Sequence, residues 1–129
     1  MAGELSSLLQ HLEREKPVVA VERLKWIRAG LGNEVCLLPV GEVSYFQASE
    51  KYTSVVTANK EHLIRTPIRE LMEQLDPGQF WQVHRATLVN IGHIECATRD
   101  AAGKVTLQLR SRMETLTVSR AFAYLFRQM

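Results

Sequence analysis

Two adjacent side chains with hydrogen-bond donors, His84 and Arg85, interrupt an otherwise apolar stretch at residues 80–90. Alternate positions such as Trp81 and Val83 would share one buried face of a strand, and Arg85 falls on that face. An unpaired Arg is almost never fully buried. The strand therefore bulges or turns at Arg85, as strands often do where a side chain is re-aimed at a functional site, or it ends there with two solvated polar residues.

Similar polar and cationic residues stand at other predicted strand ends and loops. Arg supplies a rigid, bidentate fork that suits phosphates and the edge of guanine. Each residue alone is an ordinary surface residue, but binding residues concentrate on loops that a rigid scaffold holds. Three such segments that converge would form a face able to read DNA, and the candidates are Lys51, Thr53, Ser54, Arg65, Arg85, Ser119 and Arg120.

A catalytic or metal site is the alternative chemistry. His93 and Cys96 have a spacing that can chelate a metal, but zinc requires three or four ligands and the sequence offers no matching pair. A Cys–His nucleophile pair is disfavoured because Cys36 and Cys96 lie in apolar strand contexts, where a small buried residue is the usual role. Phosphate-cradling, esterase and zinc-protease motifs do not occur in the sequence. We therefore expect no enzymatic activity, no metal and no cofactor.

Length and composition indicate one globular domain with a short appendage. Of the 129 residues, 46% are apolar and 23% are charged. No run of about 18 apolar residues and no signal-peptide pattern occurs, so we expect no membrane association. Two cysteines outside any CxxC motif fit a reduced, cytoplasmic protein. The net charge is only +2, but residues 80–129 carry six Arg and one Lys against three acidic residues, a mild basic bias compatible with nucleic acid.

The first 23 residues are predicted to form a helix and a linker ahead of a domain at residues 24–129. Leucines at positions 5, 8, 9 and 12 follow the helical spacing i, i+3, i+4, i+7, and Pro17 ends the pattern. This apolar stripe would pack against the domain itself, a second copy, or a domain outside the chain.

The remaining pattern predicts a mainly β fold of compact antiparallel sheets. Eight or nine short strands are expected between residues 24 and 118, with a hairpin loop at residues 30–33 and a turn at residues 100–103. One short internal helix has Thr66 as its N-cap and Pro67 at its first position. A last helix follows Ser119 at the C-terminus. Core packing explains the internal helix fully, so strand ends and loops must carry the function.

Four ordered motifs resemble those of the LytTR DNA-binding domain, the output domain of many bacterial two-component response regulators. From about residue 28 they cover nearly four fifths of the chain. The central one resembles an F-x-x-x-H-R-S-x-x-V-N signature. The four segments are Val43-Ser44-Tyr45-Phe46-Gln47-Ala48 with Lys51-Tyr52, Arg65-Thr66-Pro67-Ile68-Arg69-Glu70-Leu71, the stretch from Phe80 to Asn90, and Leu116-Thr117-Val118-Ser119-Arg120.

The resemblance implies that the domain binds double-stranded DNA by placing loops, rather than a recognition helix, into successive major grooves. It implies base contacts from a polar side chain near Thr53, from Arg85 and from Arg120. Lys51 and Arg65 are expected on phosphates, which position the protein without specifying sequence.

The resemblance extends to further residues around these three positions. Tyr52 and Ser54 flank Thr53, and Ser119 precedes Arg120. His84 and Asn90 match the signature, with a structural or phosphate-positioning role expected for both. The chain departs from the family pattern at Ala86, where Ser is common, and at residues 59–60, where the family often has a turn glycine.

The resemblance also implies partners. The usual receiver domain, on which a histidine kinase acts, does not lie in this chain, so residues 5–16 are read either as the end of a linker from that domain or as a helix packed on its own sheets. The domain is expected to act as a homodimer on promoter DNA with repeated half-sites. A protein-interaction module on the same β scaffold remains the alternative function.

Overall fold

The computed structural model describes residues 22–129, which form ten strands, one α-helix and short 3₁₀ helices. The predicted N-terminal helix lies outside the described residues. The strands and the helix are β1 (Trp26–Leu31), β2 (Glu34–Pro39), β3 (Val43–Ala48), β4 (Thr53–Thr57), β5 (Glu61–Ile64), α1 (Ile68–Gln74), β6 (Phe80–His84), β7 (Thr87–Asn90), β8 (Ile94–Arg99), β9 (Val105–Leu109) and β10 (Thr115–Val118).

The strands form three sheets in which every pair is antiparallel. β1 and β2 make a two-stranded hairpin, β5-β4-β3-β7-β6 make a five-stranded sheet, and β10-β9-β8 make a three-stranded sheet. The prediction of a mainly β, antiparallel fold with one internal helix is confirmed. No helix within residues 22–129 is long and apolar enough to cross a lipid bilayer.

The inner strands of the five-stranded sheet, β3, β4 and β7, are buried on both faces. On one face, Phe46, Val55 and Leu88 pack with α1 and with Ile27 of the hairpin. Successive side chains of a strand point to opposite faces. The residues next to Phe46, Val55 and Leu88 in the chain therefore belong to a second core on the other face. That core joins the sheet to the three-stranded sheet through Tyr45, Val56, Val83, Val89, Val105, Leu107, Leu109, Leu116 and Val118. The inner strands are consequently apolar at consecutive positions.

Helix α1 covers the first core and differs in detail from its predicted start. Ile68, Leu71 and Leu75 are buried, as the helical spacing predicts. The N-cap position is held by Pro67, which has no side-chain cap bond, so the prediction of Thr66 as N-cap is wrong. The Thr66 carbonyl instead accepts a hydrogen bond from a neighbouring strand, because the chain is still extended there.

The turns largely follow the sequence. Gly32, with φ of 60°, closes the β1–β2 hairpin, which is tighter than predicted because β1 continues to Leu31. Asp100 accepts hydrogen bonds from two backbone amides of the β8–β9 turn, and Gly103 has φ of 88°. The last helix begins after Ser119 as predicted, but it is a 3₁₀ helix and Ser119 makes no side-chain cap bond.

The two cysteines do not occupy buried positions. Cys36 is half-buried and Cys96 is exposed, where its thiol donates to the Gln108 side chain at 3.0 Å. The expectation of two buried cysteines is wrong for both residues. Cys96 is exposed because β8 is an outer strand of its sheet and presents most of its residues to solvent.

A polar network attaches the β9–β10 connection to the five-stranded sheet. The Tyr45 hydroxyl donates to the Glu114 carboxylate at 2.9 Å, and Arg112 donates to the same carboxylate and to the Thr57 carbonyl. Burial, together with this carboxylate, raises the pKa of Tyr45 to about 12. Burial alone would raise the pKa of Glu114, but hydrogen bonds from the backbone, Arg112 and Tyr45 outweigh it and hold that pKa below 4.5.

We expect this network to make stability depend on pH in the acidic range. Because folding lowers the pKa of Glu114, the stabilisation is complete above its unfolded value of 4.5 and is lost as pH falls through the lower folded value. Glu114→Gln should lower the free energy of unfolding at pH 7 and flatten its fall below about pH 4.5. Urea unfolding from pH 7 to pH 3 measures this, with exposed Glu42→Gln as control. Parallel pH curves for wild type and Glu114→Gln would contradict it.

Candidate nucleic-acid interface

Several strand ends meet at one end of the five-stranded sheet. The pairings Ala48–Thr53 and Thr53–Ile64 set the end of β3, the start of β4 and the end of β5 side by side. The pairing His84–Thr87 adds the end of β6 and the start of β7, which pairs with β3 in turn. We call this the loop end of the sheet; it comprises residues 49–52, 65–67 and 85–86 with the strand termini beside them.

The β6–β7 turn presents Arg85. The pairing of β6 with β7 shifts between Gln82 and His84, so Val83 is an extra, bulged residue that is fully buried in the second core. The bulge lets His84 follow Val83 towards the same face, where it lines a groove with Gln47. Residues 85–86 then form a tight turn in which Arg85 is exposed. The sequence predicts a bulge or a turn at Arg85, and the structure contains both.

His84 is part of the turn itself. Its ring Nδ1 accepts a hydrogen bond from the Ala86 amide at 3.2 Å. The Ala86 carbonyl accepts from the Ala48 amide at 2.8 Å, which fastens the turn to the end of β3. The side chain of His84 therefore sets the shape of the segment that displays Arg85.

The β3–β4 loop brings two exposed side chains to the same end. The Ser49 hydroxyl and amide both donate to the Tyr52 carbonyl, which closes the loop. Lys51 is exposed, and Tyr52 has 38% of its surface exposed. Arg65, just past the end of β5, is also exposed. The loop end therefore presents Lys51, Arg65 and Arg85 to solvent.

Thr53 and Ser54 are less accessible than the resemblance implies. Thr53 is only 2% exposed, and its hydroxyl donates to the Thr66 carbonyl at 2.7 Å. Ser54 is half-buried on the opposite face of β4. The Thr53 hydroxyl thus holds the β5–α1 connection against β4, and in this arrangement it is not directed at an outside ligand.

The C-terminal motif joins the loop end through β6. The Ser119 amide donates to the Val83 carbonyl at 2.8 Å, so the start of the C-terminal 3₁₀ helix lies beside the bulge. Arg120 follows as an exposed residue. Phe126, at the end of this helix, packs its ring edge-on against Trp81 with centroids 5.5 Å apart. Arg120 is therefore held near the Arg85 turn, although the two lie 35 positions apart in the sequence.

Asn90 lies at the opposite end of the sheet, opposite Phe80. It is 2% exposed, and its amide donates to the carbonyls of Val43 and Gly41 while its oxygen accepts from the Gly92 amide. The structural role expected for Asn90 agrees with these contacts. The structure does not bring it together with the other nine predicted site residues.

Three further cations lie near these residues and were not singled out from the sequence. Arg28 of β1 lines a cavity with Tyr52 and Arg65. Arg99 and Lys104 flank the β8–β9 turn. The first residue of β9 pairs with the last residue of β10, so this turn lies near Ser119, which follows β10. The sequence pattern indicates only that Trp26, Arg28 and Gly30 share one face of a strand. It does not indicate that Arg28 lies near Arg65, because that proximity depends on how the strands pair.

The residues considered for metal binding are engaged elsewhere. The His93 ring bonds the Ser44 hydroxyl at 3.2 Å and the Gly41 carbonyl at 2.8 Å, which leaves no ring nitrogen for a ligand in this arrangement. Within residues 22–129 no group of three His, Cys, Asp or Glu side chains stands close enough to hold a metal ion.

Comparison with protein families and solved structures gives one consistent result. The family model described as the LytTr DNA-binding domain matches residues 33–129. The LytTr DNA-binding domain of a putative methyl-accepting/DNA response regulator from Bacillus cereus superposes with a TM-score of 0.73 at 23% identity, over 81% of this chain and 94% of that one.

Similar curated proteins are longer than this chain. A response regulatory protein of Vibrio cholerae is 37% identical over 130 residues, which is 98% of this chain and 49% of that protein. The CO-responsive transcriptional regulator RcoM of Rhodospirillum rubrum is 26% identical over 76% of this chain and 42% of its own length. The transcriptional regulatory protein YpdB of Escherichia coli is 27% identical over 74% and 39%. The chain spans about half the length, or less, of these relatives.

Asn90 should be needed for stability rather than for direct contact with a ligand. Asn90→Ala leaves the buried Val43 carbonyl and the Gly92 amide without this partner, which should cost about 2–3 kcal/mol of unfolding free energy. Urea denaturation measures the loss. Exposed Asn59→Ala is the matched control and should stay within about 0.5 kcal/mol of wild type. If Asn90→Ala kept wild-type stability but failed to bind DNA, a direct contact would replace this assignment.

Proposed function

Because the chain belongs to the LytTR family of DNA-binding domains, we propose that it binds double-stranded DNA sequence-specifically through the loop end of its five-stranded sheet. The observation that carries the proposal is the convergence of exposed cations from separate loops on that end. Lys51, Arg65 and Arg85 stand on three connections, and the hydrogen bond between Ser119 and Val83 adds Arg120. Helix α1 packs its apolar face on the first core, so loops carry the contacts.

Each residue has a role that its chemistry and exposure support. Arg85 and Arg120 read bases, since a guanidinium can donate two hydrogen bonds to guanine O6 and N7, which is worth about 1–3 kcal/mol of discrimination. Lys51 and Arg65 contact phosphates. Tyr52 lies exposed beside Lys51 and can donate its hydroxyl to the same backbone.

The less accessible residues act through their neighbours. The hydroxyl of Thr53 is bonded to the Thr66 carbonyl, so Thr53 positions the loop end, and a base contact from it requires that bond to open. His84 fixes the turn that aims Arg85. Ser119 places Arg120 through its backbone amide, and half-buried Ser54 pairs with Gln47 of β3.

The width of the loop end suits contact with more than one groove position. Five strands at a spacing of about 4.8 Å give a width of about 19 Å. This exceeds the width of one major groove, about 12 Å. Loops at the two margins of the sheet can therefore reach different segments of the duplex, as the resemblance implies for successive grooves.

The role of the whole protein follows by analogy with the longer relatives. We propose that the chain is the output domain of a cytoplasmic transcriptional response regulator without enzymatic activity of its own. A receiver domain outside this chain would take the signal from a histidine kinase. Dimerisation on repeated half-sites would raise affinity through effective concentration, which a domain of net charge +2 needs more than a strongly basic one does.

A protein-interaction module is the second candidate, and one observation favours it. Trp26, Val35 and Leu37 lie on one face of the β1–β2 hairpin and are 50%, 63% and 60% exposed. Clustered exposed apolar side chains often mark a partner surface. Salt separates the two functions, since DNA binding weakens steeply as salt rises and an apolar interface does not.

Arg85→Ala and Arg120→Ala should each abolish sequence-specific binding while the fold survives. Both side chains are exposed, so removing them costs little stability, whereas each loses a base contact. Duplexes selected from a random pool by the wild-type protein supply the target, and fluorescence anisotropy gives affinities for target and scrambled DNA. Exposed Arg110→Ala, on the side of the three-stranded sheet away from Ser119, is the control. Wild-type discrimination in both variants would disprove the site.

Lys51→Ala should weaken binding evenly across DNA sequences. One lost phosphate contact reduces the magnitude of the salt slope by about 1 and leaves the ratio of target to scrambled affinity unchanged. The measurement is the same titration at several salt concentrations, with exposed Lys60→Ala, at the far end of β4, as control. A change in that ratio would mean that Lys51 reads a base.

A further inference from the structure

A cleft beside the loop end contains two cations and an aromatic ring. Arg28, Tyr52 and Arg65 line a cavity of about 450 Å³ between the β1–β2 hairpin and the end of β5. Arg28 and Arg65 are both exposed. Their three segments, β1, the β3–β4 loop and the β5–α1 connection, come from separate parts of the chain.

The charges in this cleft are not balanced by its own walls. Within residues 22–129, no Asp or Glu lines the cavity and neither guanidinium makes a salt bridge with another residue. Two guanidinium groups that share a cleft repel each other, and an anion between them removes that cost. A phosphate oxygen is the ligand that such a fork-shaped donor pair fits best.

The backbone of β1 keeps the cleft open. Gly30 lies two residues after Arg28, on the same face of the strand, and also lines the cavity. A Cβ at Gly30 would come no closer than 3.8 Å to the Glu34 carbonyl, and Gly30 is not among the positive-φ glycines. Position 30 can therefore carry a larger residue without strain, and such a residue would project into the cleft.

The cleft extends the row of proposed contacts at its margin. Across the loop end the order is Arg65 after β5, Lys51 before β4, Arg85 between β6 and β7, and Arg120 beside β6. The hairpin with Arg28 lies beyond β5, outside that row. The residues that the family model matches begin at 33, so Arg28 is outside them.

We propose that Arg28, with Arg65 and Tyr52, forms a phosphate clamp that holds the DNA backbone on the flank of the recognised site. This inference rests on the proposed function, because it takes the loop end to face DNA. The clamp adds a contact that carries no sequence information and lengthens the stretch of DNA that the domain occupies. Arg28 and Arg65 each supply donors to the phosphodiester oxygens, and the Tyr52 hydroxyl supplies another.

The test uses Arg28→Ala on a long duplex, in which at least ten base pairs flank the selected site on each side. Each phosphate contact contributes about −0.9 to the slope of log affinity against log salt. Between 1 M and 0.1 M salt, one contact therefore raises the affinity about eight-fold. Arg28→Ala should therefore weaken binding about eight-fold at 0.1 M and reduce the slope by about 1, for target and scrambled DNA alike. Arg110→Ala should bind as wild type does.

Two further arms locate the contact. Two shorter duplexes are used, each trimmed to the edge of the site on one flank only. On one of them, the difference in affinity between Arg28→Ala and wild type should disappear. Gly30→Glu, which leaves all three donors in place, should weaken binding to the long duplex and regain affinity when that same flank is trimmed. Circular dichroism and urea unfolding verify that both variants fold.

The outcomes separate this inference from the proposed function. Wild-type affinity of Arg28→Ala and Gly30→Glu on the long duplex would overturn the clamp while DNA binding itself stands. An equal loss on both trimmed duplexes would also overturn it, because Arg28 would then act inside the site rather than on its flank. Failure of the wild-type domain to bind any duplex in a salt-dependent way would instead refute the proposed function.

Discussion

Burial of the inner strands of the five-stranded sheet on both faces is the constraint on which the rest of the domain depends. Phe46 of β3 belongs to the core under α1, while its neighbour Tyr45 belongs to the core under the three-stranded sheet. A sheet covered on both sides leaves no exposed surface in its middle for polar chemistry. Ligand-binding groups are therefore confined to strand ends and connections, which explains why most of the proposed DNA contacts lie at one end.

Polar side chains inside this sheet hold the adjacent loops in place through hydrogen bonds. The hydroxyl of Thr53, the side-chain oxygen of Asn90 and the ring of His84 each bond a backbone group of an adjacent connection. Each one satisfies a backbone group that would otherwise be costly to bury, and each fixes the course of a loop. Residues that match a binding motif can thus serve binding through loop geometry alone.

The hairpin of β1 and β2 has a different character from the central sheet. One of its faces contributes Ile27 to the first core, and the other presents Trp26, Val35 and Leu37 to solvent beside the cleft of Arg28. Arg28 belongs to this second face as well, directly opposite Leu37, so the charged cleft and the apolar side chains share one surface of the hairpin. A protein partner bound to this face and the proposed phosphate clamp would therefore compete for the same surface of the hairpin.

The sequence by itself determined the strand pattern, the internal helix and the family, because apolar alternation, turn residues and ordered motifs are local signals. It also identified Arg85 as a residue that a buried strand cannot accommodate. Only the tertiary structure decided that Val83 is bulged, that Thr53 is buried while Lys51 is exposed, and that Arg28 shares a cleft with Arg65. These facts depend on the register and pairing of strands far apart in the chain, which a local pattern does not encode.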